Sequence, residues 1–328
     1  GVDPERRAAD GPPTSWSRIG LLTVGVATLL LLVVTAFAWP AVNSGPHEVP
    51  LGVVAPPQVA DQLGAQLTQT AGEDAFDLQP AADREAAERA ILDREVYGAI
   101  VLGRDGGEML TASAASPAVA QALGQLAANV PAEAGGPLTV TDLRPLPEDD
   151  PRGVGLGSTV LPVAIAGLMV GAVSALAVRG RARQATSVVT LTPVAGLVLA
   201  AVSHLWLGAL EGSFWVNAGV LALGVLAIGG VVLGLVRWIG PAGIGVTALV
   251  MILLGSPLSG VQTAPEMVPA GWGALGQLLP PGATGTALRS VAWFDGAGSV
   301  VALLVLAAWV AAGTLLLSLP GRRSATTS

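Results

Sequence analysis

Residues 255–296 read GSPLSGVQTAPEMVPAGWGALGQLLPPGATGTALRSVAWFDG and lie between two apolar blocks, 238–255 and 299–319. The stretch is too rich in Pro, Gly and polar residues for a spanning helix. With Trp272, Leu275, Leu278, Leu279, Leu288, Val291, Trp293 and Phe294 it is too apolar for a solvated loop. Its pattern predicts two short helices, near 267–279 and 283–293, broken by Pro280-Pro281-Gly282. Non-helical backbone at membrane depth survives only where protein or a water-filled cavity covers it. Two readings stand: an inert cap at the membrane surface, or the outer gate of a pathway. Gln277, Pro280, Pro281 and Arg289 are the candidate pathway or gate residues here.

The flanking sequence is that of a membrane protein. Mean hydropathy is +0.65, and charged residues make up only 12% of the 328. Residues 19–39, IGLLTVGVATLLLLVVTAFAW, form an uncharged run long enough to span the hydrocarbon core. It ends in Trp39-Pro40 without a small-x-small cleavage site, so an uncleaved first span is expected rather than a signal peptide. Further runs at 158–178, 187–209, 215–236, 238–255 and 299–319 bring the expected spans to six; 238–255 is short once Pro241 and its glycines are counted.

Between the first two spans the composition changes. Residues 41–153 hold seventeen Asp and Glu against six Arg. Alternating patterns predict strands at 48–54, 75–79, 96–102, 108–113 and 138–144 and helices at 57–70, 81–94 and 117–129. Glu85 and Arg89 are spaced to pair on the second helix, and Asp105-Gly106-Gly107 reads as a hairpin turn. The order β-α-β-α-β-β-α-β implies a small α/β sandwich. The expected fold class is therefore an α-helical integral membrane bundle of six spans, with an extracytoplasmic α/β domain inserted between spans one and two. The expected organisation is a cytoplasmic segment 1–18, a first helix 19–40, the α/β domain 41–153, a five-helix membrane domain 154–319 with outer re-entrant helices at 257–296, and a tail 320–328.

Arginine placement orients the chain, which has no Lys. With both termini in the cytoplasm, nine of the sixteen Arg fall on short inner segments, including RGRARQ at 179–184, and twenty of twenty-three acids fall outside. Trp39, Trp206, Trp215, Trp272 and Trp293 would mark the outer interface, Trp16 and Trp238 the inner one. The expected location is the inner (plasma) membrane, multi-pass.

The sequence excludes much chemistry. Without Lys it carries no P-loop. Without Cys it has no disulfide or thiolate site. Its two histidines, His47 and His204, sit on different segments. No catalytic, cofactor-binding or metal residues are expected, no cofactor, and no nucleic-acid partner. The carboxylates of 73–95 read as a solvated face. Small-xxx-small pairs at Gly167/Gly171 and Gly230/Gly234 suit either packing within the bundle or a dimer seam. Pro193 inside its span is a static kink or a hinge. His204, near the outer end of the same span, is a further candidate for the pathway, either a proton or ligand group or a satisfied interfacial side chain.

The layout of one span, a large extracytoplasmic domain and five spans resembles that of type-2 ABC transporter permeases of the YhgE/Pip (phage infection protein-like) kind. GSPLSG at 255–260, APEM at 264–267 and GALGQLLPPGATGTALRS at 273–290 look like the outer re-entrant pair of such permeases, and REVYGAIVL at 94–102 like their extracytoplasmic domain. Residues 1–18, with Gly11-Pro12-Pro13, show no apolar face where such permeases carry an amphipathic helix. The resemblance implies one half of an exporter for a lipid, peptide or drug-like substrate, paired as a homodimer or with a related permease, surrounded by membrane lipid and driven by a separate cytoplasmic ATPase. The ATPase would couple through Arg179, Arg181 and Arg183. The alternative is a non-transporting receptor or envelope assembly protein acting through residues 41–153.

Overall fold

A computed structural model describes residues 15–103, 106–130 and 136–320. The chain enters through α1 (Trp16–Val42), which buries only Pro40. The α/β domain follows: β1 (Val49–Val54), α2 (Pro57–Ala71), β2 (Phe76–Pro80), α3 (Arg84–Leu92), β3 (Gly98–Gly103), β4 (Gly106–Thr111), α4 (Pro117–Ala128) and β5 (Thr139–Asp142). The strands order as β2-β1-β3-β4-β5, with only the β3–β4 pair antiparallel. Alternation sorts the side chains to two faces. Val49, Leu51, Ile100 and Met109 pack with Leu67 of α2 and Val119, Leu123 and Ala127 of α4. Ala99 and Leu110 pack with Ala87 and Ile91 of α3, in a core that runs on into the membrane helices. Local signals fix the helix starts: Asp83 accepts from Ala86 N–H, Ser116 from Val119 N–H, and Pro57 and Pro117 open their helices.

The expected elements of this domain all form, with three corrections. Glu85 and Arg89 do not pair; Arg84 bonds Glu88, one residue earlier, and Glu108 on β4. Helix α3 starts at Arg84 rather than 81 because Asp83 caps it. Gly106 and Gly107 already belong to β4, and Asp105 lies outside the described residues.

The bundle comprises α5 (Val154–Ala177), α6 (Arg181–Ala200), α7 (Phe214–Ile239), α8 (Ala242–Ala248) and a final long helix described below. Helix α6 runs on through a π turn, Ala201–Trp206, and α8 through another, Leu249–Gly255. Both carboxylate oxygens of Asp150 accept from the first amides of α5, at 2.9 and 2.7 Å. Among the described residues five helices, counting α1 and the last, are long and apolar enough to cross a membrane, which fits a multi-pass membrane protein. The stretch Ala242–Gly255 is a shorter apolar helix: at 1.5 Å per residue it reaches about 21 Å, against about 30 Å of hydrocarbon.

Helix α7 is the hub, packed on α5, α6 and the last helix. The two glycine pairs serve these internal seams. A Cβ on Gly171 would stand 2.5 Å from Val232 Cβ, and one on Gly234 2.6 Å from Leu316 Cβ. They leave no seam for a second copy, so the dimer reading of these pairs does not hold.

Between the α8 π turn and the last helix come 3-10 turns Pro257–Ser259 and Pro265–Met267, then α9 (Trp272–Gln277), α10 (Pro280–Trp293) and α11 (Val300–Ser318). The expected helix over 267–279 is only α9, because Pro269 and the left-handed Gly271 (φ +81°) interrupt it. Pro280-Pro281 do not break a helix but begin one, where a missing N–H costs nothing.

Candidate functional site

Within the 257–296 segment, helix α10 is buried along nearly its whole length and packs on α5, α7 and α11. Four side chains of the α/β domain reach this segment. Arg94 donates to Thr286 O (3.2 Å) and Ser290 Oγ (2.5 Å), and its guanidinium lies 5.5 Å from the centre of the Phe294 ring. Tyr97 donates its hydroxyl to Glu266 Oε2 at 2.7 Å. Ser116, while capping α4, donates to Thr263 O at 2.5 Å. Arg144 donates through Nε to Trp293 O at 3.1 Å. Main-chain bonds add to these: Gly45 N–H to Met267 O and His47 N–H to Glu266 O.

Local backbone explains how Arg94 gets there. Helix α3 ends at Leu92, and Arg94 turns the chain with φ +63°. Glycine is the usual residue at such a helix exit; an arginine there is strained. The other two non-glycine residues with positive φ among the described residues are Glu48 and Asp295. All three border this junction. Gly298 lies against the Arg94 stem, with an added Cβ only 3.3 Å away.

The junction borders an open cleft of about 710 Å³ whose walls include His47, Glu48, Asp74, Arg94, Tyr97, Glu266, Gln277 and Thr286. The two ion pairs among the described residues, Arg84–Glu88 and Arg84–Glu108, lie elsewhere, so the three carboxylates of this cavity face it without a paired cation. Burial is the largest influence on Tyr97 and pushes its phenol far above the ordinary range; the Glu266 charge pushes the same way. Tyr97 is therefore a permanent donor. Burial also lowers the Arg94 guanidinium, opposed by Tyr97 and Glu266, yet an arginine keeps its proton. The site can thus hold the α/β domain to α10 and present carboxylates to a cationic group.

The structure brings some of the predicted residues together and not others. Gln277 donates to Ser259 O (2.7 Å), accepts from Thr286 Oγ1 (2.5 Å) and lines the cavity. Pro280 and Pro281 are buried at the start of α10, with Pro281 against Gly255. Arg289 is buried on α10 and donates to Val261 O at 2.6 Å. Pro193 lies apart, inside α6 and exposed. His204 is also apart: it sits in the α6 π turn, with Nδ1 3.1 Å from Asn217 Nδ2 and its ring edge-on to Phe214. These contacts tie α6 to α7. Arg179, Arg181 and Arg183 are exposed at the opposite end of the bundle. They do not form a loop, since Arg181 and Arg183 belong to the first turn of α6.

Sequence reading missed Arg94, Tyr97 and Glu266 as a group. A signal was present. Tyr97 is the chain's one tyrosine, and Glu266 and Arg289 are the lone acid and the lone base between 238 and 294. Compared with family models, curated proteins and solved structures, the chain matches none.

Proposed function

We propose that the chain is the membrane-spanning permease subunit of an ABC-type exporter, working with a separate cytoplasmic ATPase. In this reading Ala242–Gly255 is a short sixth span, fifth along the chain, the α/β domain lies outside, both termini lie in the cytoplasm, and 257–296 is a re-entrant outer gate. The observation that carries it is the position of α10. That helix packs on α7 and α11 and is bonded to the α/β domain by Arg94 and Arg144, while Tyr97 and Ser116 bond the turns before it at Glu266 and Thr263. Rocking of the bundle would therefore pass through α10 to the domain and the cavity between them.

At the other end, Arg181 and Arg183 occupy the first turn of α6, where cations oppose the helix dipole. Their placement does not serve helix stability and suits an acidic partner surface. A gentle-detergent pull-down of the tagged chain from its native membranes, with an assay of ATP hydrolysis, tests the reading. A stoichiometric ATPase is expected. A clean preparation holding envelope proteins but no ATPase overturns it and leaves the receptor alternative, which the three unpaired carboxylates of the junction cavity favour. Reversing Arg179, Arg181 and Arg183 to Glu together is expected to abolish ATPase co-purification at normal membrane levels.

A further inference from the structure

Two more cavities flank α1. The first, about 530 Å³, lies between the second half of α1 and the α8 π turn. Its walls include Leu32, Trp39, Leu249, Leu253, Leu258 and Trp272, and its one polar side chain is Thr35. Water does not fill an apolar space of this kind, and none of the most apolar stretch of α1 is buried, so the crevice opens along α1 to whatever surrounds the helix. Trp39 and Trp272 meet edge to face at 5.7 Å and 80° at its end. Paired indoles mark the depth where hydrocarbon gives way to headgroups.

Pro40 lines this crevice and also a second cavity, of about 460 Å³. The second cavity has no ionisable side chain; Ser44, Ser256, Ser259, Gln262 and Thr263 supply its polar groups. Ser44 bonds back to Pro40 O and Ser259 to Ser256 O. The Ser256 hydroxyl is buried and has no hydrogen-bond partner among the described residues. Being buried, that oxygen does not itself face the cavity; the exposed Gln262 amide does. A phosphate head would lose water here with no Arg or His to replace it.

We infer that these two cavities together bind one lipid, its acyl chain in the apolar crevice and an uncharged, hydroxyl-bearing head beside Gln262. As the substrate class of the proposed exporter the assignment rests on that reading, but the binding is tested apart from it. The full chain is reconstituted in phosphatidylcholine vesicles with a diacylglycerol carrying a photoactivatable group in its acyl chain. After illumination, labelled peptides are mapped by mass spectrometry. Label concentrates on 32–40 and 249–258, is displaced by excess unlabelled diacylglycerol, and resists the same excess of phosphatidylglycerol. Label spread evenly over the lipid-facing helices overturns the site, and equal displacement by phosphatidylglycerol overturns the uncharged head.

This competition needs no variant. Ala36→Trp, which fills the crevice from α1, adds a second arm: it abolishes the focused label, and undiminished label overturns the site. Focused labelling on a chain that purifies without an ATPase keeps the lipid site and removes the exporter. An ATPase complex without focused labelling does the reverse.

Discussion

Helices α1 and α7 are near twins by composition and opposites in the fold. Their mean hydropathies are 2.5 and 2.6, yet none of the most apolar stretch of α1 is buried, against 61% in α7. Lipid offers no hydrophobic drive between helices, so apolarity decides that a helix spans but not what it touches. Close backbone approach decides the rest. Gly224 and Gly234 of α7, with Gly167, Gly171 and Gly196 facing it, all sit where a Cβ would collide with a neighbouring helix. Gly20 and Gly25 of α1 have nothing within 4 Å. The largest expected effect exploits this difference. Gly171→Leu overpacks the α5–α7 seam and should cost about 1–3 kcal/mol or more, seen as a lower unfolding midpoint in detergent. Gly25→Leu should leave the midpoint unchanged. Equal shifts in both would mean that α1 has an internal partner and would break the contrast.

The α/β domain is held to the bundle by a third means, polar side chains rather than close packing. Arg94→Ala removes bonds from a charged donor to Thr286 and Ser290, with an expected cost of about 1.5–3 kcal/mol. Arg94→Gly removes the same bonds but relieves the positive φ. The glycine variant should therefore be the more stable of the two, while both expose the connections at 43–48 and 144–153 to limited proteolysis. If neither changes the cleavage rate, Arg94 does not hold the junction.

Why the spans and the α/β order were legible, and the junction was not, follows from sequence distance. Apolar runs and period-two alternation are local, and they placed all five strands of the domain within about two residues. Arg94–Ser290, Tyr97–Glu266 and Ser116–Thr263 join residues 196, 169 and 147 positions apart, which no local pattern encodes. Pro280-Pro281 misled because proline punctuates both helix ends and helix starts; the cover from Gly255 and α7 made it a start here. The glycine pairs were visible, but their partners Ile228, Val232 and Leu316 were not. His204 looked like an isolated polar group because Asn217 lies on the next helix.

A smaller effect separates the junction from the apolar seams by pH. Burial raises the folded-state pKa of Tyr97, so its contribution is complete below the unfolded phenol pKa and is lost as pH rises above it. The junction should be insensitive to pH near neutrality and loosen above about pH 10. Because Tyr97 is the only tyrosine, phenolate absorbance reads this residue alone. The folded chain should show no phenolate where the denatured chain is half ionised. Tyr97→Phe should lose the alkaline loosening together with about 1 kcal/mol from the Glu266 bond. A Tyr97 that titrates at the ordinary phenol pKa in the folded chain would place it in water and undo the buried contact.

The smallest effect belongs to the start of α3, where Arg84 bonds Glu88 and Glu108 of β4 in the open. The bond from Arg84 is the largest influence holding the Glu108 carboxyl below its usual range, with Thr141 adding to it. A depressed folded pKa contributes stability above the unfolded carboxyl pKa and loses it as pH falls through the folded value. Thermal unfolding of Arg84→Ala should therefore match the unmodified chain at acid pH and fall slightly below it at neutral pH. Solvent and salt screen this pair, whereas they do not reach the α5–α7 seam. Added salt should thus erase the Arg84→Ala deficit and leave the Gly171→Leu deficit whole. A salt-resistant Arg84→Ala deficit would mean that this ion-pair cluster is covered rather than open, most simply by a second chain.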